Sequence, residues 1–188
     1  DDTITFDGGA TSVVVSGAKG ADTFTFSKTL TTSSLYGGKG NDTIAVTGKA
    51  EGIFLGGDQG KDDIDFTVEV ETSTVNGGSG DDDITFATTT TSVVVDGGTD
   101  EDSITFTGAA TSTKAQGGDG VDTITFNADS TSSSIYGGVG KDIIDINAAF
   151  KKGIIAGGKD GDDIDVNAGG DDELADTSIY GGRGDDTI

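Results

Sequence analysis

Aspartate recurs along this chain at a fixed interval. The series is Asp2, Asp22, Asp42, Asp62, Asp82, Asp102, Asp122, Asp142, Asp162 and Asp186, a step of 20 residues taken eight times and then one of 24. A unit of 20 residues cannot close a core of its own. It must bury its apolar face against copies of itself, so the period selects a repeat architecture before any local propensity is considered.

Other columns keep the same register. Two residues after each Asp stand Ile4, Phe24, Ile44, Ile64, Ile84, Ile104, Ile124, Ile144, Ile164 and Ile188. Two further on stand Phe6, Phe26, Val46, Phe66, Phe86, Phe106, Phe126, Ile146 and Val166, with Thr, Asp and Ser mostly between. Apolar and polar residues alternating with period two mark a strand with one buried face. A second strand ends each unit, in stretches such as "TSVVVSG" and "SSSIYGG", with the inward column Val15, Leu35, Leu55, Val75, Val95, Ala115, Ile135, Ile155 and Ile179. The expected fold is all-β: a parallel β-roll or β-solenoid of about ten 20-residue coils with two strands per coil. Like residues then stack ~4.8 Å apart, and the whole is on the order of 45 Å long. An antiparallel meander explains a constant 20-residue register less simply than a helical rise does. Residues 1–188 read as one domain, with the acidic insertion Gly169 to Asp176 ("GGDDELAD") as a surface loop in the 24-residue step. With no Met in the chain and both ends stopping inside the repeat, the expectation is a segment of a longer protein.

Between the second strand and the Asp lies a glycine turn, as in "GGKGND" from Gly37 to Asp42. A narrow coil must reverse within a few residues, which needs positive φ, and Gly supplies it without steric cost. Small residues leave carbonyl oxygens bare, and the Asp adds a carboxylate. An oxygen-only donor set with flexible geometry suits a hard cation, Ca²⁺ better than Mg²⁺. Charge points the same way. The chain carries 34 Asp and Glu against 11 Lys and Arg, a formal −23. Carboxylates stacked one per coil repel by ~1 kcal/mol per neighbouring pair even at the dielectric of water. A divalent ion between coils turns that repulsion into attraction, so the expected behaviour is a disordered chain without metal and a rigid roll with it. The same charge disfavours nucleic acid and anionic membranes. No apolar run approaches the ~20 residues of a membrane span. Without Cys there is neither a disulfide nor a thiolate site.

"GGKGNDTIA" (Gly37–Ala45), "GGSGDDDIT" (Gly77–Thr85), "GGDGVDTIT" (Gly117–Thr125), "GGVGKDIID" (Gly137–Asp145) and "GGRGDDTI" (Gly181–Ile188) resemble the nonapeptide of RTX, or haemolysin-type, calcium-binding proteins. The resemblance recurs once per coil along the whole chain. It implies a parallel β-roll with Ca²⁺ held between turns one coil apart. As ligands it implies Asp22, Asp42, Asp62, Asp82, Asp102, Asp122, Asp142, Asp162 and Asp186, with turn carbonyls at Gly38, Gly40, Gly78, Gly80, Gly118, Gly120, Gly138 and Gly140. Nine such Asp give about eight shared sites, and Asp2 offers part of one. It further implies export from a calcium-poor cytosol, by a type I system in most members, and folding outside the cell.

The chain departs from the family in keeping the motif only in alternate units, so metal is expected along one edge. Ala18 and Asp58 replace the second Gly, and Asp100 and Asp160 the third. Asp tolerates left-handed backbone better than most residues. On the other turn, the Thr11, Thr31, Thr91, Thr111 and Thr131 column and the Ser12, Thr32, Ser92, Ser112 and Ser132 column read as hydroxyls that satisfy a metal-free corner. The Phe column reads as core. Asp63, Asp65, Asp83, Asp145 and Asp165 read as an outward acidic face. With repeated carboxylates, no cleft and no His, an enzyme is not expected. The expected role is a structural, calcium-rigidified solenoid of a bacterial extracellular or cell-surface protein, an S-layer or coat element or an adhesin stalk. Its partners are calcium, further solenoid segments or copies of itself. The alternatives are a secretion and folding module of an exported enzyme or toxin and, less favoured, an ice- or glycan-binding Thr face.

Overall fold

The computed structural model of the protein describes residues 1–167 and 174–188. The chain winds as a parallel β-solenoid of nine turns, each contributing one strand to each of three nine-stranded sheets. In the first turn these strands are Thr3–Phe6, Ala10–Thr11 and Val14–Lys19, in Sheets 1, 2 and 3 respectively. Each pairs in parallel with the residue one turn later: Phe6 with Phe26, Ala10 with Leu30, Val15 with Leu35. The expected two strands per coil thus become three. The additional one spans two residues per turn, too short for an alternation of period two to reveal it.

The core is four inward columns, two of them from Sheet 1. Phe24, Ile44, Ile64, Ile84, Ile104 and Ile124, and beside them Phe26, Val46, Phe66, Phe86, Phe106 and Phe126, come from Sheet 1 and are at most 1 % exposed. Leu35, Leu55, Val75, Val95 and Ile135 come from Sheet 3. Sheet 2 adds Leu30, Ala50, Val70, Thr90, Ala110, Ser130 and Phe150, all buried. Exact stacking of like residues puts the Phe rings face to face. Phe66, Phe86, Phe106 and Phe126 follow one another at centroid distances of 5.0, 4.9 and 4.3 Å, the first two within the range that favours offset aromatic pairs and the third slightly closer. The ladder ends where Ile146 takes the next place. Phe150, reaching in from Sheet 2, meets Phe126 edge-on at 6.0 Å. A Cβ on Gly153 would collide with the Phe150 ring, so this glycine makes the room that the larger side chain takes.

The corner between Sheets 2 and 3 turns on one left-handed residue per coil: Ser12 (φ 56°), Thr32 (φ 47°), Gly52 (φ 62°), Thr72 (φ 45°), Ser92 (φ 56°) and their successors. Left-handed Thr is uncommon because of its branched Cβ. The hydroxyls that satisfy this corner belong to the next residue, not to the Thr11 and Ser12 columns. Ser33 and Ser73 are buried. They donate to the carbonyls of Thr31 and Glu71 at 2.8 and 2.7 Å and accept from the amides of Val13 and Ile53 one turn earlier. Ser133 repeats the arrangement, with the Thr131 carbonyl and the Thr113 amide, while the Thr113 hydroxyl donates to the Thr111 carbonyl and lies 3.2 Å from Thr90 Oγ1. Of the insertion read at Gly169–Asp176, residues 169–173 lie outside the described residues. Leu174–Ala175 is not loop but the ninth strand of Sheet 2, paired with Phe150–Lys151.

Candidate functional site

The glycine turn lies at the end of Sheet 3. The second and third glycines of the motif carry the reversal: Gly38, Gly78, Gly118 and Gly138 have φ of 115–130°, and Gly40, Gly80 and Gly140 have φ of 110–129°. Gly120 holds the equivalent position without a positive φ. Where the glycine is replaced the turn survives by shifting. Ala18, Asp58, Asp100 and Asp160 sit at φ 73–82°, close to the left-handed helical region that an L-residue can enter. The four irregular turns therefore keep the shape of the other five.

The first glycine of each pair has a different reason to be there. Sheet 3 pairs Ser16 with Tyr36 and Ala18 with Gly38, yet its ladder skips Gly17 and Gly37, and the same skip recurs in every turn, as at Gly77 and Gly97. At this interruption the motif Asp of the same turn folds back inside. A Cβ on Gly37 would strike Asp42 Oδ2 and the carbonyl oxygen of Gly57. A Cβ on Gly97 would strike Asp102 Oδ2 and the carbonyl of Gly117. Two acceptor oxygens thus face the same small space, and hydrogen is the only side chain that leaves it open.

The motif carboxylates are interior groups. Asp22, Asp42, Asp62, Asp82, Asp102, Asp122, Asp142 and Asp162 are 1–3 % exposed, and Asp186 at the far end is half-buried. One oxygen of each is committed. Oδ1 of Asp42 accepts from the backbone N–H of Asp22 at 2.7 Å, that of Asp102 from Asp82 at 2.8 Å, and that of Asp186 from Asp162 at 3.1 Å, with the same bond in every intervening turn. Asp2 donates its amide to Asp22 Oδ1 and accepts at its carbonyl from the Thr23 amide, and it is itself exposed. The second oxygen has no partner: Oδ2 is buried and unsatisfied at all eight positions from Asp22 to Asp162. A buried acceptor without a donor costs about 1–3 kcal/mol, and more when it is charged.

Electrostatics reflect the strain. Burial, first of all, pushes Asp62 and Asp122 up to about 6, Asp82 and Asp142 to about 7 and Asp102 to about 8. The amide bond to Oδ1 acts in the opposite sense, and the carboxylates of the neighbouring turns add to the rise. Asp42 and Asp162, nearer the ends, are raised for the same first reason. This is a column that resists carrying one negative charge per turn. A proton or a cation at Oδ2 would relieve that cost.

The donor set fits a hard cation in kind: carboxylate Oδ2, with the first-glycine carbonyls of the following turn beside it. Among the described residues no three acidic side chains converge on one point, so any such ion rests on backbone oxygen or water for most of its shell. The first glycines, Gly37, Gly57, Gly77 and Gly97, were not among the carbonyls expected from the motif. Their signal in the sequence is only that the pair is Gly-Gly rather than a single Gly. The other predicted features take their places: Asp63, Asp65, Asp83 and Asp165 lie exposed on the outer face of Sheet 1 and Asp145 is half-buried there, away from the column. Two open grooves, of about 460 and 420 Å³, lie outside the wall over the second-glycine path, bordered by Asn76, Asp96 and Gln116 in one and Lys39 and Asp58 in the other. No helix is long and apolar enough to cross a membrane among the described residues. No family model, no curated protein and no solved structure matches this chain.

Proposed function

We propose that the chain is a structural calcium-binding β-solenoid of an extracellular or cell-surface protein, a rigid rod for a coat, S-layer or stalk, and not an enzyme. The observation that carries this reading is the buried file of eight unpartnered Oδ2 atoms, one per turn, seven of them sharing their space with a glycine carbonyl oxygen of the following turn. Ca²⁺ in this file would supply the positive charge that the column lacks. The residues to hold it are the Asp from Asp22 to Asp186, with backbone carbonyls of the glycine turns. The protein's own part is to fix Oδ1 on the preceding amide so that Oδ2 has one orientation, and to exclude water with the apolar columns behind it. The interior is filled by side chains and the grooves are shallow and external, which supports a mechanical role over a catalytic one.

The test is circular dichroism and calorimetry of the metal-stripped chain during a Ca²⁺ titration, with Mg²⁺ as control. The expected result is β-structure appearing with Ca²⁺, saturating at about eight ions, the number of adjacent pairs among nine motif Asp. An identical spectrum and melting temperature with and without chelator would falsify the reading.

A further inference from the structure

The outer rim of the glycine turn carries a charge pattern that the metal column does not use. In each turn the rim is three positions, those of Lys19, Gly20 and Ala21 and their successors. Six of the chain's 11 cations lie on it: Lys19, Lys39 and Lys61, then Lys141, Lys159 and Arg183. All six are exposed. None of them makes an ion pair within the chain among the described residues, despite the 34 acids available.

The order along the axis is banded. Turns one to three present Lys19, Lys39 and Lys61. Turns four to six present Asp81, Asp100 with Glu101, and Asp119, again exposed. In turns eight and nine Lys159 and Arg183 share the rim with Asp160 and Asp185, which leaves those turns without net charge. Each band is three turns long, ~14 Å at the inter-strand spacing. That exceeds the Debye length of ~8 Å at physiological salt, so the bands act as separate patches and do not cancel. The rim as a whole is locally neutral, six cations against Asp81, Asp100, Glu101, Asp119, Asp160 and Asp185, in a chain of net −23.

We infer that this rim docks a second copy of the chain, antiparallel and edge to edge, about a two-fold axis between the third and fourth turns. Turn one then faces turn six, two faces five, and three faces four. Lys19 meets Asp119 of the other copy, Lys39 meets Asp100 and Glu101, and Lys61 meets Asp81, each contact made twice by symmetry. A parallel arrangement staggered by three turns matches only one band, because the last turns are internally compensated. The Gly at the centre of most rim turns lets the two edges approach without bulky side chains between them. The inference needs the solenoid but not the metal reading, since no rim cation or acid named here is a motif Asp.

The experiment is sedimentation velocity of the full chain at about physiological salt, under whichever ionic condition gives the β-spectrum. Three proteins are compared: the wild type, K19E/K39E/K61E, and D81K/E101K/D119K. The wild type is expected to dimerise, and each variant alone to associate at least about tenfold more weakly, since its rim carries mostly one sign of charge. An equal mixture of the two variants is expected to recover a heterodimer. Recovery in the mixture also shows that both variants folded, and dichroism checks each alone. A wild type that stays monomeric up to about 1 mM overturns the inference. So does a dimer that persists in the variants, or one that chelator abolishes while the β-spectrum remains, which would mean ions bridging acidic faces. Failure of the calcium reading shows separately, as a spectrum indifferent to chelator, and leaves the charge-swap comparison intact.

Discussion

The backbone N–H of Asp82 donates to Oδ1 of Asp102 at 2.8 Å, across one full turn of the solenoid, while Oδ2 of the same carboxylate has no partner. One residue therefore does two things. It caps an amide that no strand ladder reaches, and it leaves a second carboxylate oxygen buried without a hydrogen-bond partner. The two roles separate on mutation. Asp102→Asn keeps an acceptor for the Asp82 amide and removes the charge, so it is expected to raise the melting temperature of the metal-free chain while lowering the calcium stoichiometry. Asp102→Ala leaves the amide buried without an acceptor and is expected to cost about 1–3 kcal/mol in either condition. Thermal melts with and without Ca²⁺ read both outcomes.

The pH dependence has an unusual sign. An unfolded Asp titrates near 3.8, whereas Asp82 and Asp142 in the fold sit at about 7 and Asp102 at about 8. The folded chain binds protons more tightly than the unfolded one, so stability from these groups is complete below pH ~4 and is lost progressively as pH rises from there through the folded values of about 7 to 8. The metal-free chain is expected to gain β-structure as it is acidified from pH 8 to pH 5, with protons standing in for cations. Melts in chelator across that range test it, and stability that climbs with pH would contradict the electrostatic account of the column.

Two glycine substitutions distinguish sterics from backbone strain. Gly97 has no positive φ, but its Cβ would enter the space of Asp102 Oδ2 and the Gly117 carbonyl. Gly97→Ala is expected to displace that carboxylate and to destabilise by about 1–3 kcal/mol, with loss of cation affinity in that turn. Ala18 is the converse case, an L-residue held at φ 73° where its column otherwise favours Gly. Ala18→Gly is expected to stabilise by about 1 kcal/mol, the left-handed penalty exceeding the entropy gained by the unfolded chain. Denaturant midpoints measured in Ca²⁺ decide both.

Phe106 lies between Phe86 and Phe126 at 4.9 and 4.3 Å and is fully buried. Phe106→Ala opens a void that the rigid turns above and below cannot close, at an expected cost of about 3–5 kcal/mol. Phe106→Leu should cost less than half of that. Urea unfolding of the two variants beside the wild type provides the measurement, and near-equal losses would mean the stack is not tightly packed.

The columns were legible in the sequence because a solenoid makes sequence period and spatial neighbour the same thing. Ile64 lies over Ile84 and Phe66 over Phe86 for the reason that each pair is 20 residues apart. The positive-φ turns at Gly38 and Gly40 were legible too, since few other residues adopt that backbone. What the period does not encode is which way a turn closes between its columns. The two-residue strand Ala10–Thr11, the inward hydroxyl of Ser33 in place of the Thr11 column, and the retreat of Asp42 into the interior all depend on packing across the coil. The sequence by itself determined the repeat, the parallel stacking and the identity of the acidic column. Only the tertiary structure decided that each carboxylate spends one oxygen on the turn before it and leaves the other bare, because that division is set by contacts between turns that no single 20-residue unit contains.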